Sequence, residues 1–178
     1  RANGLKAVQA IEQVAYLTAT VSNASSNSHT IVVPAGVKKI KVMTYWHDPQ
    51  AQIGAAIALV NNLNTIITDP ALTVHNPLIL DYTPNAVNLN AAAVPGVDIR
   101  NNHEQITIHN PAAGNYVLNV SGANVPVGPQ AYFVTWIFET DDYSFIYPIG
   151  GEGFNPGETE TVRWNALETT GNQTLQYT

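Results

Sequence analysis

Lys39-Ile40-Lys41-Val42-Met43-Thr44-Tyr45-Trp46 decides the fold of this chain. Polar and apolar residues alternate along it, and a period of two gives a strand one buried and one solvated face. The run stops at His47-Asp48-Pro49. Proline there has no N–H for a ladder and keeps the residue before it extended.

Working outward from this strand, Thr30-Ile31-Val32-Val33 before Pro34-Ala35-Gly36 reads as a strand ending in a turn. Upstream, Asn23 to Ser28 is a polar loop of small residues, and from Thr18 the composition turns to Thr, Val and Ser with a period of two. Before that point the period is helical. Leu5, Val8, Ile11, Glu12 and Ala15 share one face, which predicts about three to four turns of α-helix. Downstream, Ile57-Ala58-Leu59-Val60 and Leu63 to Thr68 predict a strand interrupted by polar residues and ended by Asp69-Pro70. Asn76 to Gly96 carries prolines at 77, 84 and 95 and reads as a wandering loop, a length that points to function or tethering. Glu104 to Asn110, Tyr116 to Ser121 and Ala131 to Phe138 complete the set. The expectation is an all-β chain: an antiparallel β-sandwich or jelly roll of about eight strands, with one N-terminal α-helix.

Composition narrows the function. The chain has 178 residues, 45% of them hydrophobic and only 11% charged, so neutral polar groups must solvate its surface. A net charge of −6 with seven Lys plus Arg argues against a phosphate-binding surface, and no nucleic-acid partner is expected. Cysteine is absent, which removes disulfides and thiolate metal sites. No apolar run approaches the roughly 20 residues of a membrane helix, and no signal peptide opens the chain. Arg1 stands within a helical pattern, so a piece of a longer polypeptide is expected.

Catalysis by a serine needs a base and an orienting acid. None of His29, His47, His75, His103 and His109 lies in a Gly-rich turn carrying a serine, so no catalytic residue is assigned. Zinc is disfavoured too: His103 and His109 would stand about 20 Å apart on one straight strand. Calcium takes six to eight oxygens and needs no helix frame. Its candidate ligands are Asp48, Asn62, Asn64, Asp98, Asn101, Asn102 and Glu104, with Asn61 in the same run. The competing reading makes these residues turn caps that bind exposed backbone. Tyr45, Trp46, Phe133 and Trp136 belong either to the core or to a sugar-stacking face, and alternation exposes at most one of Tyr45 and Trp46.

Several separated landmarks also carry a resemblance. Trp46-His47-Asp48-Pro49, Leu59-Val60-Asn61-Asn62-Leu63, Arg100-Asn101-Asn102-His103-Glu104, Ala113-Gly114-Asn115-Tyr116 and Asn124-Val125-Pro126-Val127-Gly128-Pro129-Gln130 resemble the β-jelly-roll domain that follows the catalytic domain in many secreted bacterial subtilisin-like proteases. That domain is related to the P-domain of the kexin and furin proteases. Arg1 to Val8 resembles the last helix of the subtilisin-type catalytic domain. Tyr147 to Glu152, Pro156 to Thr159, Thr161 to Trp164 and Thr174 to Tyr177 resemble the opening strands of an immunoglobulin-like module. The resemblance implies three parts: 1–17 as the terminal helix of a preceding catalytic domain, 18–139 as the jelly roll, and 140–178 as the truncated start of an immunoglobulin-like domain. It implies a non-catalytic accessory domain of a secreted or cell-surface bacterial serine endopeptidase, which stabilises the catalytic domain and assists substrate binding. Its partners would be that catalytic domain and the downstream immunoglobulin-like module. Calcium is sometimes bound in the family, where the second landmark commonly reads Leu-Val-Asn-Asp-Leu-Asp. Here Asn62 and Asn64 replace its two acidic positions. The alternative function is a carbohydrate- or surface-binding jelly roll.

Overall fold

The computed structural model describes residues 4–140, 144–165 and 174. In chain order its elements are α1 (Gly4–Glu12), β1 (Tyr16–Val21), β2 (Ser26–Val33), β3 (Val37–Trp46), β4 (Asn62–Thr68), β5 (Val74–His75), β6 (Leu78–Ile79), α2 (Ala86–Leu89), β7 (Val94–Pro95), β8 (His103–His109), β9 (Gly114–Asn124), β10 (Gln130–Thr140), β11 (Ser144–Tyr147) and β12 (Arg163–Asn165). The sandwich has two antiparallel four-stranded sheets, ordered β1-β10-β3-β8 and β2-β9-β4-β5. The pairs β1 with β10, β2 with β9, β3 with β8 and β4 with β5 describe one long hairpin wound over on itself. That winding is the jelly-roll arrangement.

The alternation seen in the sequence fills the space between the sheets. Ile40, Val42, Thr44 and Trp46 of β3 face inward and are essentially inaccessible, while Lys41 and Tyr45 face out. Opposite them stand Ile31, Leu63, Ile67, Leu118 and Val120, with Ile106, Tyr132 and Val134 from the same sheet as β3. Each such aliphatic side chain contributes about 1.5–3 kcal/mol on full burial. Gly122 admits the first corner, because a Cβ there would sit 2.3 Å from the Ser22 carbonyl oxygen.

Side chains close both seams between the sheets. Asn27 Nδ2 donates to the Thr20 carbonyl at 2.8 Å, joining the edges of β1 and β2. On the other side the Thr65 amide, beyond the reach of the short β5, donates to Glu104 Oε2 at 2.6 Å. An edge amide that would otherwise go unpaired inside the protein is thereby satisfied.

Several local expectations are corrected. The helix spans only Gly4–Glu12, because Val14 takes a left-handed φ of 52° and the amide of Ala15 turns back to Ala10. Ile57 to Val60 forms no strand; Asp48 instead holds Val60 and Asn61 as a capped loop. The segment 76–96 is not structureless but holds the β6–β7 pair around α2, whose first turn is capped by Asn85. The predicted loop 23–28 ends early, as β2 begins at Ser26. Beyond the sandwich, β11 and β12 pair with one another. Arg1 to Asn3 and Leu175 to Tyr177, which carry parts of the family resemblance, lie outside the described residues.

Candidate functional site at the Trp46 end of the sandwich

Four of the five landmarks that stand apart in the sequence meet around Trp46, whose ring is wholly buried, while Ala113–Tyr116 opens β9 at the opposite end of the sandwich. Its indole N–H donates to the Asn61 carbonyl at 2.9 Å, and its backbone N–H to the Asn102 carbonyl at 3.1 Å. Asn102 Nδ2 returns a bond to the Trp46 carbonyl at 2.9 Å. Asp48 accepts the amides of Val60 and Asn61, both at 2.7 Å. Asn61, itself fully buried, donates through Nδ2 to Val127 O and Gln130 Oε1 and accepts the Val127 amide. Gln130 Nε2 then donates to the carbonyls of His47 and Ala131. Three loops are thus tied by three side-chain amides and one carboxylate. Sequence reasoning passed over Gln130 as a functional position, though it closes the Asn124–Gln130 motif.

The seven candidate calcium ligands fall at this end but are engaged separately. Asp98 accepts the amides of Arg100 and Asn101 and the Nδ2 of Asn101, an Asx turn. Glu104 is 2% exposed, and burial pushes its carboxyl up to about 8, against the lowering effect of the Thr65 amide and with a small upward push from Asp98. Its Oε1, the hydroxyls of Thr44 and Thr65, and the Oδ1 atoms of Asn62 and Asn64 are buried without a hydrogen-bond partner. Among the described residues no three carboxylates or imidazoles come together in a way that could hold a metal ion. Asn62 and Asn64 offer neutral oxygens on one strand face, Asp48 is turned to backbone amides, and Asp98 to backbone amides and the Asn101 side chain. Calcium affinity follows the number of charged ligands, so this donor set does not fit a calcium cage.

The histidines are spread out. His29 Nε2 meets the hydroxyl of buried Tyr132 at 2.7 Å, and burial lowers its pKa. His75 pairs with Asp69 at 3.1 Å, while His103 and His109 stand exposed at opposite ends of β8. The aromatic positions divide. Trp46 is core, whereas Tyr45 and Phe133 are 42% and 52% exposed and stack with centroids 6.5 Å apart on the outer face of β3 and β10.

Two hollows share part of their lining just before β8. One of about 300 Å³ is lined by Met43, Leu78, Leu80, Asn101, His103 and Gln105. The second, about 270 Å³, shares Leu80, Asp98 and Asn101 with it and adds Ile79, Tyr82, Val97, Ile99 and Arg100. Sequence reading had no signal for these, since the 76–101 segment lacks periodicity.

No protein-family model matches the chain. Over 108 residues, 60% of this chain, it is 32% identical to a Dictyostelium discoideum protein named serine protease/ABC transporter B family protein tagB, of which it spans only 5%. A crystal structure of a Sulfurospirillum deleyianum protein superposes on 70% of this chain and 97% of its own at 9% identity with a TM-score of 0.37, too low to carry an argument. No helix among the described residues is long and apolar enough to cross a membrane.

Proposed function

We propose that this chain is the non-catalytic jelly-roll region of a secreted, bacterial subtilisin-like serine endopeptidase, and that it rests on the catalytic domain and stabilises it. A partner that binds only the folded catalytic domain adds its binding free energy to that domain's stability. The observation that carries the reading is an apolar surface left open on one side. Val8, Ile11 and Val14 of the N-terminal segment are 53%, 66% and 65% exposed, beside Tyr16 at 51%. On the sheet, Phe133 pairs with Thr18, two residues from Tyr16, and with Tyr45, so both add exposed aromatic rings on β10 and β3. Contiguous apolar patches of this kind mark an interface. The match to a protein named as a serine protease supports the same direction. By this reading the downstream segment begins a second, immunoglobulin-like module of the same polypeptide.

The test is made in the parent polypeptide. Replacing Phe133 and Ile11 by Asp should lower the unfolding midpoint of the protease active site, read by loss of peptidase activity on heating. Unchanged heat inactivation would defeat the proposal. The Tyr45–Phe133 stack favours a second reading, a sugar-stacking platform. Glycan binding abolished by Phe133→Ala, with heat inactivation untouched, would select it.

A further inference from the structure

The smaller hollow, lined by the 79–82 and 97–101 segments, serves neither the core nor the seam. Part of its lining is aliphatic: Leu80, Val97 and Ile99, which are 69%, 58% and 51% exposed, together with Ile79. At its rim the guanidinium carbon of Arg100 lies 3.6 Å from the centroid of the Tyr82 ring. Among the described residues Arg100 makes no ion pair. The two carboxylates lining the same hollow are turned to other groups: Asp98 to the backbone of Arg100 and Asn101, Asp81 to the amide of Thr83 and the side chain of Asn88. Hydrogen bonds from these groups lower the Asp81 pKa. In a chain of net charge −6, one arginine is therefore held over a ring with its N–H fork free. The contact with the ring positions the guanidinium and leaves N–H groups for a planar, bidentate anion.

We propose that this hollow captures the C-terminal end of a peptide, with the terminal carboxylate on Arg100 and the last apolar side chain on Ile79, Leu80, Val97 and Ile99. At about 270 Å³ it falls just below the range of about 300–1,000 Å³ that takes drug-sized ligands, which suits a chain end of one or two residues. An acidic sugar has the anion but not the fit. Its hydroxyls need polar partners, and the side chains of Asp81, Asp98 and Asn101 are already engaged. Carboxylate capture beside an apolar pocket is an established mode of peptide recognition. The inference stands whether or not a protease domain precedes the chain, because every group it uses lies between Ile79 and Arg100.

The whole chain would be titrated calorimetrically with an N-acetylated tetrapeptide, three alanines ending in leucine, as the free acid and as the C-terminal amide, and with an oligogalacturonate. The free acid should bind, and the amide should bind about tenfold to a hundredfold more weakly, as loss of a charge-assisted hydrogen bond implies. Arg100→Gln should erase the difference between acid and amide. Leu80→Glu, which sets a like charge in the apolar lining, should weaken both forms, the acid more than the amide. Both sites are exposed, and circular dichroism checks that the variants fold. Equal binding of acid and amide, no binding of the acid at millimolar concentration, or Arg100-dependent binding of the uronate alone would overturn the proposal.

Discussion

Glu104 shows how one side chain closes a sandwich at the expense of its alkaline stability. Its Oε2 fills the vacancy left where β5 ends, accepting the Thr65 amide in a site that excludes water. Burial raises the carboxyl from the usual 4.5 to about 8. Between those two values the folded chain keeps a proton that the unfolded chain releases, so stability is full below about pH 4.5 and falls as pH rises to about 8. The loss should amount to about 2–5 kcal/mol across that window. Glu104→Gln keeps an oxygen for Thr65 and removes the titration. Urea unfolding should show a wild type weaker at pH 8 than at pH 5 and a variant with a flat profile; parallel profiles would mean that Glu104 is solvated. At this scale the sequence was partly legible. The Arg100–Glu104 landmark stood out, but the role of Glu104 did not, because its partner lies 39 residues away on the other sheet.

Elements were legible wherever a period survived. The alternation of β3, β8, β9 and β10 translates directly into inward and outward faces. The N-terminal helix was legible in kind but not in length. Its apolar pattern runs to Ala15, yet Val14 turns left-handed, with its amide bonded to Ile11 O and the Ala15 amide to Ala10 O. Those two bonds make a Schellman end, a place where glycine is the usual residue and valine gives no warning. A β-branched residue at positive φ is strained, by about 1–2 kcal/mol. Val14→Gly should therefore raise the unfolding midpoint and slow amide exchange in Val8–Glu12, even though glycine usually weakens a helix interior. Faster exchange there would show that Val14 stabilises the segment through contacts. Just beyond, Glu139 ties α1 to the sandwich through Lys6 and Lys41. Its burial raises its pKa, but the two lysine bonds together outweigh that effect and hold it below the usual value. This anchor gives α1 a fixed seat while its Val8 and Ile11 side chains stay in solvent.

For the whole molecule, winding one long hairpin over itself brings Trp46, Asn61, Asn102 and Gln130 to the same end of the sandwich. That convergence explains why the landmarks looked like a binding site in sequence: oxygen-rich side chains beside apolar runs are what calcium loops and loop knots have in common. What distinguishes them is where the oxygens point, and this depends on long-range pairing that no local pattern encodes. Here the Asp48 oxygens and Asp98 Oδ1 face backbone N–H groups and Asp98 Oδ2 faces the Asn101 side-chain amide, which does for these loops what a cation does elsewhere. The Asn62 and Asn64 amides add no charge that a divalent ion would be needed to balance. Thermal unfolding in millimolar chelator and in millimolar calcium should consequently give the same midpoint. A ligand that binds the folded chain at a hundred times its Kd would add about 2.7 kcal/mol, a shift of roughly 5 °C or more in a domain of this size, so a negative result is informative. If calcium did raise the midpoint, Asp48→Asn would separate the two roles: a backbone cap would lose stability equally with and without the ion, whereas a ligand would lose only the calcium-dependent part.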